Sequence, residues 1–212
     1  MKVKKISSST PQEEFWAGDF GTQYISRNKG DALLASNLGF FRKALDKAGQ
    51  ILSCLEFGAN IGMNLQALKL LYPRIEMRGI EINNAAAAEL SGIIGTKNVF
   101  EGSIYDYPIT EKADLVLTKG VLIHINPDRL DTVYEKLYSV SSRLILVCEY
   151  YNPSPIAISY RGHTDRLFKR DFAGELLDMY SDLKLVDYGF VYKRDIAFPQ
   201  DDITWFLLRK EK

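Results

Sequence analysis

The chain's 212 residues suffice for one well-buried α/β domain and are short for two, and its 27 Lys and Arg balance 27 Asp and Glu. That balance excludes a global field drawing the protein to nucleic acid or to anionic membranes, and leaves polyanion binding only to a local patch. No apolar stretch approaches a membrane span, the start Met1-Lys2-Val3-Lys4-Lys5 lacks the apolar core of a signal peptide, and Cys54 and Cys148 sit in apolar runs as buried small hydrophobes, so a cytoplasmic protein is expected.

In chain order, residues 11–28 read as a helix that Gly18 and Gly21 bend or break. Residues 31–48 read as a second helix, with Leu33, Leu34, Leu38, Phe41 and Leu45 forming an apolar stripe. A strand follows at 51–57, a helix at 62–72 closed by Pro73, a strand at 75–82 and an alanine-rich helix at 84–94. Short strand 97–101, strand 113–119, a helix at 127–140 opened by Asn126-Pro127, and strand 143–149 come next. A helix at 165–180 and strands 183–193 and 202–210 finish the chain. Strands that alternate with helices require parallel pairing by right-handed crossover. The last two strands, joined without a helix, form an antiparallel hairpin at one edge. One domain is therefore expected over 1–212: a helical lid, 1–48, and a Rossmann-like core, 49–212.

The chemistry centres on Leu55-Glu56-Phe57-Gly58-Ala59-Asn60-Ile61-Gly62, directly after the first strand, and on Glu81 at the end of the second. A glycine turn after a buried strand lets backbone approach a ligand closely, and an acid at the tip of the next strand can accept two ribose hydroxyls. Dinucleotide sites keep three glycines so that pyrophosphate rests on bare amides at a helix start. Here Asn60 and Met63 stand where the second and third belong, and Glu56 precedes the first. The spelling points to S-adenosylmethionine (SAM), which carries no phosphate.

These residues resemble the class I SAM-dependent methyltransferases over essentially the whole chain. The resemblance implies a seven-stranded, mostly parallel sheet with an antiparallel C-terminal hairpin and helices on both faces. It implies further that Gly58, Ala59, Asn60 and Gly62 cradle the cofactor's methionine part, with Glu56 just before them, while Glu81 binds ribose and Ile82 packs on adenine. Ser103 occupies the place of an acid that usually bonds the adenine amino group, with the Ile104 amide or Asp106 as substitutes. Asp114 to His124, including Lys119 and Gly120, resembles the fourth strand and the loop beneath the transferable methyl. A closer resemblance is to the methylases associated with pseudaminic acid biosynthesis. It is carried by Pro11 to Gly21, Arg27 to Asn37, Thr118 to Pro127, Glu149 to Pro155, Tyr160-Arg161-Gly162-His163, Lys169 to Glu175 and Phe198 to Phe206. It implies a sugar-modification setting, with SAM as donor and S-adenosylhomocysteine (SAH) as product.

Candidate residues outside the turn follow from position. Trp16, Tyr24 and Arg27 belong to the lid, where Arg27 can fork onto the methionine carboxylate; ordinary packing is the competing reading. His124 lies at the carboxyl edge of the fourth strand with an ordinary pKa near ~6.5, suited to taking a proton from an acceptor hydroxyl or amine; alternatively it caps its loop. His163 is the second candidate base. Tyr150, Tyr151 and Asn152 end the fifth strand, where at most one of the two adjacent tyrosines can face a ligand. Arg161 and His163 lie in a locally basic stretch, 160–171, that suits an acidic or nucleotide-linked sugar; a solvated helix start with internal ion pairs competes. No metal site is expected. Two other activities fit parts of the pattern: nucleic-acid methylation, against which the neutral charge argues, and NAD-dependent sugar oxidation. The latter's Tyr-x-x-x-Lys pair has one candidate, Tyr180 with Lys184, at a helix end.

Overall fold

A computed structural model describes residues 9–211. Helices α1 (Pro11–Ala17), α2 (Asp19–Ile25) and α3 (Asp31–Ala44) precede a core running β1 (Ser53–Phe57), α4 (Met63–Leu71), β2 (Glu76–Glu81), α5 (Asn84–Ile94), β3 (Val99–Glu101), β4 (Ala113–Lys119), α6 (Leu130–Val140) and β5 (Ser141–Glu149). Then come β6 (Ile156–Tyr160), β7 (His163–Lys169), α7 (Phe172–Met179), β8 (Leu183–Val191) and β9 (Ile203–Lys210). Seven strands form one sheet in the order β3-β2-β1-β4-β5-β9-β8. The first five are parallel, and β9 pairs antiparallel with both β5 and β8. Strand order reverses between β1 and β4, which opens a crevice at their carboxyl ends.

Alternation along the strands builds two cores. Cys54, Leu115, Leu117, Leu144 and Leu146 face α3, α4 and α5, whereas Leu55, Phe57, Val116, Ile145 and Val147 face α6 and α7. Both cysteines are free and buried. Through Phe40, Phe41 and Ala44, helix α3 belongs to the first of these layers, while its Leu33 and Asn37 reach the crevice that α1 and α2 overhang. Among the described residues, no helix is long and apolar enough to cross a membrane.

The first expected helix, 11–28, divides at Gly18, which is extended (ψ −159°) and ends α1; Gly21 continues inside α2. The expected helix over 165–180 is corrected. Residues 163–169 are β7, paired with β6 in a separate two-stranded sheet, and the helix occupies only 172–179. Its connection is the two-residue turn Arg161-Gly162, both at positive φ (51° and 86°), the conformation that matches hairpin twist. The hairpin lies over the crevice: the carbonyl of Asp165 accepts the Gln12 side-chain amide of α1, and that of Arg166 meets the His124 ring.

Candidate functional site

The turn after β1 is forced on its residues by close approach. Gly58 (φ 66°) has no room for a β-carbon, which would lie 2.7 Å from Val121 Cγ2, and at Gly62 (φ 81°) one would lie 2.7 Å from Leu90 Cδ1. Asn60 between them is left-handed (φ 48°), a conformation that Asn tolerates better than most residues. Its backbone N–H donates to Glu81 Oε2 at 2.7 Å, and the N–H of Asn83 donates to Glu81 Oε1 at 2.8 Å. Burial pushes the Glu81 carboxyl upward, and these backbone donors oppose the shift. Each oxygen keeps a lone pair for a further donor. Glu81 therefore stands pre-oriented at the tip of β2, 8 % exposed.

Below the turn, Glu56 is 1 % exposed. Its Oε1 accepts Asn64 Nδ2 at 2.6 Å, while Oε2 has no donor. Burial pushes its carboxyl up to about 8, against the pull of Asn64 and Lys119. On the same side of the sheet, Lys119 Nζ lies 3.5 Å from Asn37 Oδ1, which also accepts Gln200 Nε2 at 2.9 Å; burial lowers the Lys119 pKa. Asn60 Oδ1 is a second buried acceptor without a donor.

The lid is built by capping. Thr10 and Glu13 close a capping box at the start of α1, with Pro11 at its first position. The Asn83 side chain caps α5 through Oδ1 and turns its Nδ2 to the lid, 3.1 Å from Thr22 Oγ1 and 3.3 Å from the carbonyl oxygens of Trp16, Ala17 and Gly18. Gly21 permits this approach, since a β-carbon there would meet Trp16 O at 1.9 Å. Trp16 then packs edge-on to Tyr24 and against His124, their ring centres 5.3 and 4.6 Å apart.

His124 follows β4 in a short 3₁₀ turn. Its Nδ1 lies 2.5 Å from the Arg166 carbonyl, a contact that requires the proton on Nδ1 and leaves Nε2 as the free acceptor. Burial pulls its pKa from 6.5 to about 4, so the imidazole is neutral at pH 7 and a weaker base than its sequence position suggests. The loop carrying it is held by Glu149 at the end of β5. That carboxylate accepts Thr118 Oγ1 at 2.8 Å, Val121 N–H at 3.1 Å and Ile123 N–H at 3.3 Å.

One cavity, with about 1230 Å³ of empty space partly open to solvent, runs along this edge. Of the expected site residues it is lined by Gly58, Ala59 and Asn60 from the turn and by Glu81 and Ile82 from β2. Ser103 and Ile104 follow β3, Lys119, Gly120 and His124 come from β4 and its loop, and Trp16 and Tyr24 from the lid. Glu56 and Gly62 support the turn without lining the cavity. Arg27 lies outside, exposed, with its guanidinium 5.6 and 5.5 Å from the Phe20 and Tyr24 ring centres. Arg161 and His163 are at the exposed hairpin tip, His163 against Phe15. Tyr150 is half-buried and turned to Asp201, Tyr151 is 42 % exposed near Phe206, and Asn152 bonds the Ser154 carbonyl within its own turn. Sequence reasoning missed Gln12, Glu13, Asn37, Asn83 and Glu149. The Thr10-x-x-Glu13 capping box and the Asn83 start of α5 were the signals available. Among the described residues, no group of three or more His, Cys, Asp and Glu is arranged to hold a metal ion.

No protein-family model matches the chain, and no curated protein sequence matches it. Solved structures do. The magnesium protoporphyrin IX methyltransferase of Synechocystis PCC 6803, with SAM bound, superposes with a TM-score of 0.68 at 12 % identity, over 97 % of this chain and 100 % of that one. The 1,6-didemethyltoxoflavin-N1-methyltransferase of Burkholderia thailandensis, with its substrate and SAH, gives 0.68 at 15 % identity over 98 % and 93 %. A SAM-dependent methyltransferase from Archaeoglobus fulgidus gives 0.65 at 15 % identity over 91 % and 100 %. The chain thus has the Rossmann-like fold of these methyltransferases.

Proposed function

We propose that this protein transfers a methyl group from SAM to a small polar acceptor. The observation that carries the reading is Glu81, held by the Asn60 and Asn83 amides at the tip of β2 with free lone pairs facing the cavity. That arrangement suits two ribose hydroxyls, while Ile82 and Ile104 offer apolar faces for a purine. At the turn, Asn60 Oδ1 is a buried acceptor without a donor, on a residue that lines the cavity. An ammonium group would satisfy such an acceptor, which fits the methionine end of the cofactor. When bound, SAM supplies an electrophilic methyl on a sulfonium.

The chain's part in transfer is alignment and proton handling. The lid and the Gly120–His124 loop, braced by the hairpin through Gln12 and His124, would enclose the acceptor, and positioning of this kind can be worth roughly 7–11 kcal/mol. His124 Nε2 accepts a hydrogen bond from the acceptor's O–H or N–H and fixes the attacking lone pair. A base with a pKa of about 4 takes the proton only late, as the new bond forms.

For the acceptor we favour a sugar or nucleotide-linked sugar, the pseudaminic acid-associated reading. The aromatic wall of Trp16 and Tyr24 suits the apolar faces of a sugar ring. The small-molecule substrate of the Burkholderia enzyme is in keeping with a compact acceptor. The basic tip at Arg161 and His163 can meet only a substrate that extends beyond the cavity. Nucleic-acid methylation and NAD-dependent sugar oxidation remain the competing readings; neutral charge weighs against the first, and Asn60 with Met63 against the second. A turnover screen with SAM against free and nucleotide-linked sugars and RNA, read by product mass, tests the assignment. A methylated sugar supports it. Methylated RNA, or sugar oxidation on adding NAD with no methyl transfer, overturns it.

A further inference from the structure

We infer that Glu13, carried on the lid, is the acceptor for the exocyclic amino group of the adenine ring, so that base recognition and lid closure are a single event. The inference rests on the cofactor reading above. With the ribose at Glu81, the base extends toward the carboxyl end of β3, where Gly102, Ser103, Ile104 and Tyr105 form the wall. An adenine amino group brings two N–H donors and requires an acceptor there. The cavity lining holds two carboxylates, Glu81 and Glu13. Ser103 stands in place of an acid, its Oγ donates to Glu13 Oε1 at 2.5 Å, and the same oxygen caps Tyr105 N–H. Glu13 Oε2 accepts the Thr10 N–H at 2.7 Å. Both carboxylate oxygens are thereby fixed in orientation, and each retains a lone pair. Asp106, the alternative on this side, is exposed and does not line the cavity. The acid that reads the base thus arrives from α1 and is latched through Ser103, while Asn83 ties the same lid to the start of α5 beside Glu81. Without α1 in place, the site has no carboxylate beside the base.

The test is a calorimetric comparison of SAH with S-inosylhomocysteine, which bears a carbonyl oxygen where adenine bears its amino group. Wild-type protein should prefer SAH by about 10- to 100-fold, the worth of a hydrogen bond to a charged acceptor. Glu13→Gln, whose amide can donate as well as accept and which keeps the helix start intact, should bring the two ligands within about threefold. Glu13→Ala should narrow the preference equally while weakening both ligands. A purely structural latch behaves differently: Glu13→Ala and Ser103→Ala would weaken both ligands alike and leave the preference intact, which would overturn the inference. Wild-type protein that binds neither ligand would fell the cofactor reading, and this inference with it.

Discussion

The Glu81 carboxylate accepts the backbone N–H of Asn60 at 2.7 Å, which makes the acid at the end of β2 and the glycine turn after β1 one hydrogen-bonded unit. Loss of either part should therefore disturb the other. Glu81→Ala strands the Asn60 and Asn83 amides, a cost of about 3 kcal/mol in stability, and should lower SAH affinity at least about 100-fold. Urea unfolding together with calorimetry separates the two effects. An unchanged affinity would remove Glu81 from the ribose site.

Gly58→Ala places a β-carbon against Val121 in a left-handed backbone conformation. The strain should cost about 1–3 kcal/mol and push Val121 and the loop of His124 outward. Thermal unfolding should register the first effect, and a loss of SAH binding the second.

His124→Ala should leave SAH affinity within about threefold of wild type and lower kcat about 100-fold, since it removes the acceptor's hydrogen-bond partner and not the cofactor's. Steady-state kinetics with the acceptor found by the turnover screen measures this. Undiminished kcat would take His124 out of the chemistry.

The same residue predicts a pH dependence of stability. Its folded pKa of about 4 lies below the ordinary 6.5, so the unfolded chain binds the proton first as pH falls. Above 6.5 both states are neutral and nothing is lost. Between 6.5 and 4 wild-type stability should fall by about 3 kcal/mol more than that of His124→Phe, and below 4 the difference should level off. Urea titrations at pH 7 and pH 4 read it; parallel losses in the two proteins would contradict the buried neutral imidazole.

Glu149→Gln leaves at least one of Thr118, Val121 and Ile123 facing an amide N–H instead of an acceptor. Hydrogen exchange at Val121 and Ile123 should accelerate and kcat should fall, with SAH affinity nearly kept. Exchange rates identical to wild type would mean that the loop holds itself.

The sheet was legible because its strands carry buried residues on both faces. Leu115 to Leu117 and Leu144 to Val147 read as continuous apolar runs bounded by turns, the signature of a parallel interior. Hairpin β6–β7 was not legible, because His163, Thr164 and Asp165 are polar and exposed on both faces of β7 and only Leu167 is buried, so no alternation showed and the stretch resembled a charged helix start. The Arg161-Gly162 pair after Ile156-Ala157-Ile158-Ser159-Tyr160 was the clue, since Gly in the second turn position suits a two-residue hairpin. The cavity floor followed from Gly58, Gly62 and Glu81. Its roof did not: Glu13 and Asn83 act across 90 and 67 residues of chain, on Ser103 and Trp16, and no local pattern encodes such distant pairings. His124 was visible by position, but the burial that lowers its pKa comes from Trp16, Tyr160 and β7, which only the fold brings together.

The most direct measurement is a calorimetric titration of SAH into the wild-type protein and into Glu81→Ala. One-to-one binding in the micromolar range by the wild type, lost in the variant, is the predicted result. A wild-type protein that takes up neither SAH nor SAM would contradict the assignment of this cavity to an adenosyl cofactor.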